Sequence, residues 1–109
     1  AVFDLDKLKK VYGEDVKNLI KLRNRREEDL FFLNQENSKK IKSLFIDEKV
    51  PKIYREELKM VAIGKEILWI LPSKHFPRKP LSEKGRFSGR YKLCNTTKNT
   101  IIIEIFCKI

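Results

Sequence analysis

The feature that most limits how this chain can fold is the apolar run Ile67-Leu68-Trp69-Ile70-Leu71, in which no polar residue alternates with the apolar ones. A strand that is apolar on both faces lies inside a sheet, because both faces must be covered. Residues 60–63 are also apolar, and Gly64 and Lys65 separate them from Glu66 at the start of the second segment. This order predicts a two-residue hairpin whose second strand is central in a sheet.

The patterns on either side of the hairpin predict further short strands. Residues 18–24 include polar and apolar side chains in alternation, which is typical of a half-buried strand, and residues 91–94 and 100–106 predict two more. Residues 25–37 are first charged and then aromatic, which favours a loop fixed to the core by its aromatics. The predicted fold class is α+β, a small and mostly antiparallel sheet or sandwich of about five strands with two short helices.

Both predicted helices lie near the middle of the chain. Ser38 suits the N-cap of a helix over residues 39–45, whose apolar residues recur at helical spacing while its lysines lie elsewhere. The apolar face of this helix consists of Ile41, Leu44 and Phe45. Pro51 suits the first turn of a second helix over residues 52–58, because a proline there removes no hydrogen bond.

Charge is distributed unevenly along the chain. The 109 residues include 25 Lys and Arg against 15 Asp and Glu, a formal net charge of +10. Residues 1–38 are balanced, so the excess lies downstream, mostly in residues 39–55 and 74–92. A basic excess favours a polyanion such as nucleic acid, and we expect these two segments to contact it. The length predicts one domain over residues 1–109, with residues 1–17 as a linker or edge segment.

Several classes of function are disfavoured. The glycines form no phosphate-binding loop motif, and the single histidine, His75, has no neighbouring Cys or Ser that suggests a nucleophile. Cys94 and Cys107 are expected to be reduced thiols, with a disulfide as the less favoured alternative, and no familiar zinc spacing is present. Neither a membrane span nor a signal sequence is apparent. We therefore expect a cytoplasmic chain without metal, cofactor or catalysis of its own.

Three segments carry a family resemblance. They are Leu22-Arg23-Asn24-Arg25-Arg26-Glu27, residues 38–51, and Arg55 followed by Glu66-Ile67-Leu68-Trp69-Ile70. The lysines of the second segment followed by F-I-D-E-K-V-P form its most specific part. By these residues the chain resembles the C-terminal domain of bacterial tRNA(Ile)-lysidine synthetases.

The resemblance implies a role beside a catalytic domain. In that family an N-terminal domain uses ATP and Mg to adenylate the wobble cytidine of an isoleucine tRNA and to attach lysine, while the C-terminal domain holds the tRNA near its acceptor stem. The family's S-G-G-x-D-S nucleotide loop does not occur in this sequence. The resemblance therefore implies the tRNA-holding part, with tRNA and its own N-terminal domain as partners and homodimerisation left open. A related module of the phenylalanyl-tRNA synthetase β subunit implies a sandwich-like fold.

The predicted RNA-binding residues are basic and form three clusters. The arginine cluster is Arg23, Arg25 and Arg26; the central cluster is Lys39, Lys40, Lys42, Lys49, Lys52 and Arg55; the loop cluster is Lys74, Arg78, Lys79 and Arg86. Each has a simpler interpretation: pairing with neighbouring acidic residues, a solvated helix face, and a flexible insertion, respectively. Arg55 has the further alternative of a surface bridge to Asp47 or Glu48.

The aromatic residues favour one mode of RNA recognition. Phe31, Phe32, Phe45 and Trp69 lie in apolar runs, so we expect them to pack in the core. Recognition is then predicted to depend on phosphates and on the shape of a duplex stem. Two other functions stay open: docking on the chain's own catalytic domain, and binding to an anionic membrane, which the short basic helix disfavours.

Overall fold

The computed structural model describes residues 2–72, 85–93, 97 and 99–102. Its strands there are β1 Val2–Asp4, β2 Lys21–Arg23, β3 Leu30–Phe32, β4 Ser38–Lys40, β5 Met60–Ile63, β6 Glu66–Ile70, β7 Arg86–Phe87 and β8 Thr100–Ile102. The helices are α1 Leu5–Tyr12, α2 Val16–Leu19, α3 Ile41–Asp47 and α4 Lys52–Arg55. The α+β class is confirmed, with more and shorter elements than the sequence predicts.

The main sheet is built around the predicted hairpin. Its strand order is β2-β5-β6-β3-β4, with β7 also paired to β6. Gly64 makes the hairpin turn with φ 56°, a left-handed conformation that glycine adopts without strain. All five residues of β6 are buried, which confirms that this strand is central. The pairs are antiparallel except for β3 with β6, which is parallel.

A bulge explains the missing alternation in β6. Val61 pairs with Trp69 and Ala62 pairs with Ile67, so Leu68 is an extra residue opposite β5. Leu68 and Trp69 consequently pack in the same core cluster, while Ile67 packs in the other. The apolar run is therefore buried on both faces.

Two core clusters cover the two faces of the sheet. One contains the apolar face of α3, as predicted, with Phe31, Ile67 and Ile70. The other joins α1, α2 and the small sheet formed by β1 and β8 to Leu68, Trp69 and Tyr91. Residues 2–12 thus form a strand and a helix with buried apolar side chains.

The structure corrects several predicted boundaries upstream of the hairpin. The strand predicted over residues 18–24 is only β2, because Asn18 and Leu19 belong to α2. The predicted loop over residues 25–37 contains β3, because the buried Phe31 pairs with Ile67 across the sheet. Ser38 is not a helix N-cap but the first residue of β4, paired with Phe32.

Further corrections concern α3, α4 and the segments after the hairpin. The N-cap of α3 is Lys40, and the second predicted helix ends at Arg55 instead of residue 58. Residues 91–93 are not a strand, although Tyr91 is buried and its carbonyl accepts a hydrogen bond from the Asp4 N–H at 2.8 Å. The predicted strand over residues 100–106 is β8 in its described part, and residues 103–106 lie outside the described residues.

Candidate nucleic-acid interface

Four lysines of the central cluster are exposed to solvent. They are Lys40, Lys42, Lys49 and Lys52, which follow one another through the end of β4, α3, the turn after it and the start of α4. None has an ion-pair partner within the described part of the chain. We call these four residues the lysine surface.

Lys49, a member of the lysine surface, has an unusual backbone conformation. It has φ 57°, the one positive value of a non-glycine residue among those described. Its N–H donates to the Ile46 carbonyl at 3.1 Å, and the Val50 N–H donates to the Phe45 carbonyl at 2.9 Å. These two bonds form the Schellman motif that ends α3, in which the left-handed position usually belongs to glycine. A lysine here carries a backbone strain that glycine would avoid.

Ion pairs satisfy the two carboxylates at the C-terminal end of α3. Lys39 pairs with Asp47 across α3. Glu48 Oε1 lies 3.7 Å from the Nε of Arg86, which places this residue of the loop cluster at the C-terminal end of α3. The Nε of Arg55 donates to the Val50 carbonyl at 2.9 Å. The bridge from Arg55 to Asp47 or Glu48 is therefore replaced by other pairs, and these two carboxylates are already occupied.

The structure separates the three residues of the arginine cluster. Arg23 makes a bidentate contact with the buried Asp29, at 2.8 and 2.7 Å, and also donates to the carbonyls of Asn24 and Gly64. The Arg26 N–H donates to the same carboxylate at 2.7 Å, while the Arg26 side chain is exposed. Arg23 is therefore a structural residue that fixes the turn before β3.

Arg25 belongs to a cavity that joins the arginine cluster to the lysine surface. The cavity has a volume of about 330 Å³ and is lined by Arg25, Glu27, Lys42 and Glu56. Arg25 forms an ion pair with Glu56, and Asn24 donates to the Glu56 carbonyl at 2.7 Å. The segment before β3 is thereby fixed against the end of α4, which places Arg25 and Lys42 around one cavity.

Several predicted residues lie outside the part of the chain that the structure describes. Lys74, Arg78, Lys79, Cys94 and Cys107 fall outside the described residues. The aromatic residues Phe31, Phe45 and Trp69 are buried, as predicted, and Phe32 is half-buried beneath the Arg90 guanidinium, which lies 4.3 Å from its ring centroid.

No group of three or more metal-ligating side chains occurs among the described residues. None of their helices is long and apolar enough to cross a membrane.

A second set of cations, which the sequence does not predict as RNA-binding residues, lies at α1. Lys7 and Lys10 on α1 line a cavity of about 220 Å³ together with Arg90 and Tyr91. Residues 1–38 have a balanced charge, so segment charge alone does not identify these lysines. Their spacing of three residues, which places them on one helix face, was the signal that could have found them.

Beside this cavity lies a buried polar cluster around Glu66. The Tyr12 hydroxyl donates a hydrogen bond to Glu66, and Arg90 Nη1 donates another to Glu66 Oε1 at 2.9 Å. Burial, the bond to Glu66 and the charge of that carboxylate raise the pKa of Tyr12 to about 12. Burial, followed by the same carboxylate, also raises the pKa of Tyr91. The cluster thus connects α1 to β6 and to the segment after β7.

The sequence pattern of the family described as TilS substrate C-terminal domain matches residues 20–74, which is more than half of the chain. The chain belongs to this family. The match runs from Ile20, just before β2, past the end of β6, and it contains the whole lysine surface and the arginine cluster. The family resemblance inferred from the sequence is confirmed.

Curated relatives of this TilS-type C-terminal domain carry one name. A tRNA(Ile)-lysidine synthase of Caldanaerobacter subterraneus subsp. tengcongensis is 35% identical over 103 residues, covering 94% of this chain and 18% of the relative. One from Clostridium tetani is 35% identical over 104 residues, with the same coverages. One from Persephonella marina is 39% identical over 66 residues, covering 60% of this chain and 15% of the relative. The chain thus spans less than a fifth of the length of these relatives. No solved structure matches it.

Proposed function

We propose that this chain is the tRNA-holding domain of a tRNA(Ile)-lysidine synthase. It grips the tRNA in the region of the acceptor stem, while a catalytic domain of the parent protein uses ATP to attach lysine to the wobble cytidine. The names of the relatives support the parent activity, and the family match supports the assignment of this chain to the C-terminal domain.

The observation that carries the proposal is the lysine surface. Its ammonium groups are exposed and lack ion-pair partners among the described residues. The two acidic side chains at the C-terminal end of α3 are neutralised locally, because Asp47 pairs with Lys39 and Glu48 approaches Arg86. Binding of a phosphate backbone releases condensed counterions, and unpaired exposed lysines suit this interaction.

The strain at Lys49 gives independent support. A cation occupies a backbone position where glycine would be less strained, and strained positions concentrate where function requires them. Lys49 is exposed in the turn that connects α3 to α4, and it follows Lys42 and precedes Lys52 in the sequence. We assign it a phosphate contact.

Filter binding of an isoleucine tRNA transcript across a series of salt concentrations tests the proposal. The wild-type affinity should fall steeply with salt, and each lysine of the surface changed to Ala should reduce the slope by about 0.9. Lys17→Ala and Lys21→Ala are matched controls, because both lysines are exposed but lie outside the predicted clusters.

A salt-independent affinity, or an equal effect of the control substitutions, would overturn the proposal. The competing docking function has a different signature. It predicts binding in trans to the catalytic domain without RNA, undiminished by Ala at Lys39, Lys40 and Lys42.

A further inference from the structure

A groove on the side of the molecule where β7 meets β1 has no role in the phosphate contacts described above. Its volume is about 700 Å³, within the range of about 300–1,000 Å³ typical of small-ligand sites. Four large apolar side chains on its walls are 41–46% exposed: Val2, Leu33, Phe87 and Leu93. We call it the Phe87 groove.

Phe87 offers a flat aromatic surface in this groove. Its ring stacks on the buried Trp69, with centroids 5.7 Å apart and planes inclined by 19°. The side chain nevertheless remains 41% exposed, because the Trp69 ring covers only part of it. An exposed ring supported from below by a buried indole resembles the aromatic platforms on which proteins stack nucleic-acid bases.

The backbone around Phe87 is held on both sides. The Ser88 N–H donates to the Leu68 carbonyl at 2.8 Å, and the Gly89 N–H donates to the Phe32 carbonyl at 2.9 Å. A Cβ atom on Gly89 would lie 2.0 Å from the Leu33 carbonyl oxygen, so the two segments are in direct backbone contact there. The platform therefore needs little ordering when a ligand binds, which favours affinity.

The charges on the groove walls select the kind of ligand. Arg86 and Lys92 lie on its walls, and none of its described lining residues is acidic. Cations beside an aromatic ring fit a nucleotide, which joins a flat base to a negative phosphate. An apolar peptide would fill the same walls but would leave the exposed Lys92 ammonium without an anionic partner, whereas Arg86 already lies near Glu48.

We propose that the Phe87 groove binds an unpaired nucleotide of the RNA, with its base against the Phe87 ring and its phosphate near Arg86 and Lys92. The inference rests on the proposed function and adds a second mode of contact to it. Phosphates of a duplex bind the lysine surface, whereas a single-stranded residue next to the duplex binds the groove.

Two RNA hairpins of identical stem, one blunt and one with a short single-stranded extension, provide the test. The wild-type chain should bind the extended hairpin about tenfold more tightly than the blunt one. Phe87→Leu, which keeps apolar volume but removes the ring, should bind both hairpins equally. Phe87→Tyr should retain the preference, and so should Leu22→Ala, which truncates an exposed apolar residue on β2.

Trp69 supplies a second readout, because it is the single tryptophan of the chain. The extended hairpin should change its fluorescence in wild type and in Phe87→Tyr, and the blunt hairpin should not. Equal binding of both hairpins by wild type, or a preference that survives Phe87→Leu, would overturn this inference alone. Failure to bind either hairpin would overturn the proposed function as well.

Discussion

At the scale of single residues, the same residue type has different roles depending on its partners. Arg23 and Arg25 are two positions apart in one basic cluster. Arg23 is nearly buried and fully engaged with Asp29 and two backbone carbonyls, whereas Arg25 pairs with the exposed Glu56 beside a cavity. Only the second can exchange its partner for a phosphate at low cost, because its ion pair is solvated.

This difference predicts a large effect at Asp29. Asp29→Asn should lower the free energy of unfolding by about 3 kcal/mol, because it leaves the Arg23 guanidinium without its counterion. Urea denaturation measures the change. Glu14→Gln is the matched control, since it breaks the exposed pair with Lys9 and should cost about 0.5 kcal/mol at most. Equal losses would contradict the structural role of Arg23.

The raised pKa of Tyr12 beside Glu66 predicts that the folded chain becomes less stable in alkali. The pKa of Tyr12 is raised from 10.0 to about 12 in the folded chain, so the folded state keeps its proton where the unfolded state releases it. This contribution to stability is complete below pH 10 and is lost as the pH rises through about 12. The free energy of unfolding should therefore fall across this range. A similar fall in Tyr12→Phe would show that Tyr12 does not contribute to it.

At the scale of elements, patterns among neighbouring residues predicted the structure better than pairing between distant residues could be predicted. The hairpin of β5 and β6 follows from contiguous residues, with Gly64 in its turn, and it was predictable. The short strand β3 was not, because its apolar residues pair in parallel with a strand more than thirty positions away. The N-cap of α3 lies at Lys40 and not at Ser38, because Ser38 pairs with Phe32 of β3 and the Ile41 N–H donates to the Asp29 carbonyl.

The end of α3 predicts a conflict between stability and binding. Lys49→Gly should raise the free energy of unfolding by about 1 kcal/mol, because glycine adopts the left-handed position of the Schellman motif without strain. The same change should weaken tRNA binding by removing a phosphate contact. Lys49→Ala separates the two effects, since it also removes the charge but keeps the strain. Unchanged tRNA binding in both variants would exclude Lys49 from the interface.

At the scale of the whole molecule, the net charge of +10 acts on the free chain as well as on its partner. Like charges repel one another in the compact state, and salt screens this repulsion. The melting temperature of the free chain should therefore rise with salt, whereas its affinity for tRNA should fall. A melting temperature that falls with salt would indicate that ion pairs such as Lys39 with Asp47 outweigh the repulsion.

The class of fold, the central hairpin, the apolar face of α3 and the basic character of the central segment were predictable from neighbouring residues along the chain. These features depend on the spacing and charge of residues that are close together in the sequence. The tertiary structure decided which cations are free. Asp29, Glu48 and Glu56 engage Arg23, Arg86 and Arg25, whereas the four residues of the lysine surface have no ion-pair partner in the described part of the chain. It also exposed Phe87 above Trp69, because the pairing of β7 with β6 depends on contacts that sequence proximity does not reveal.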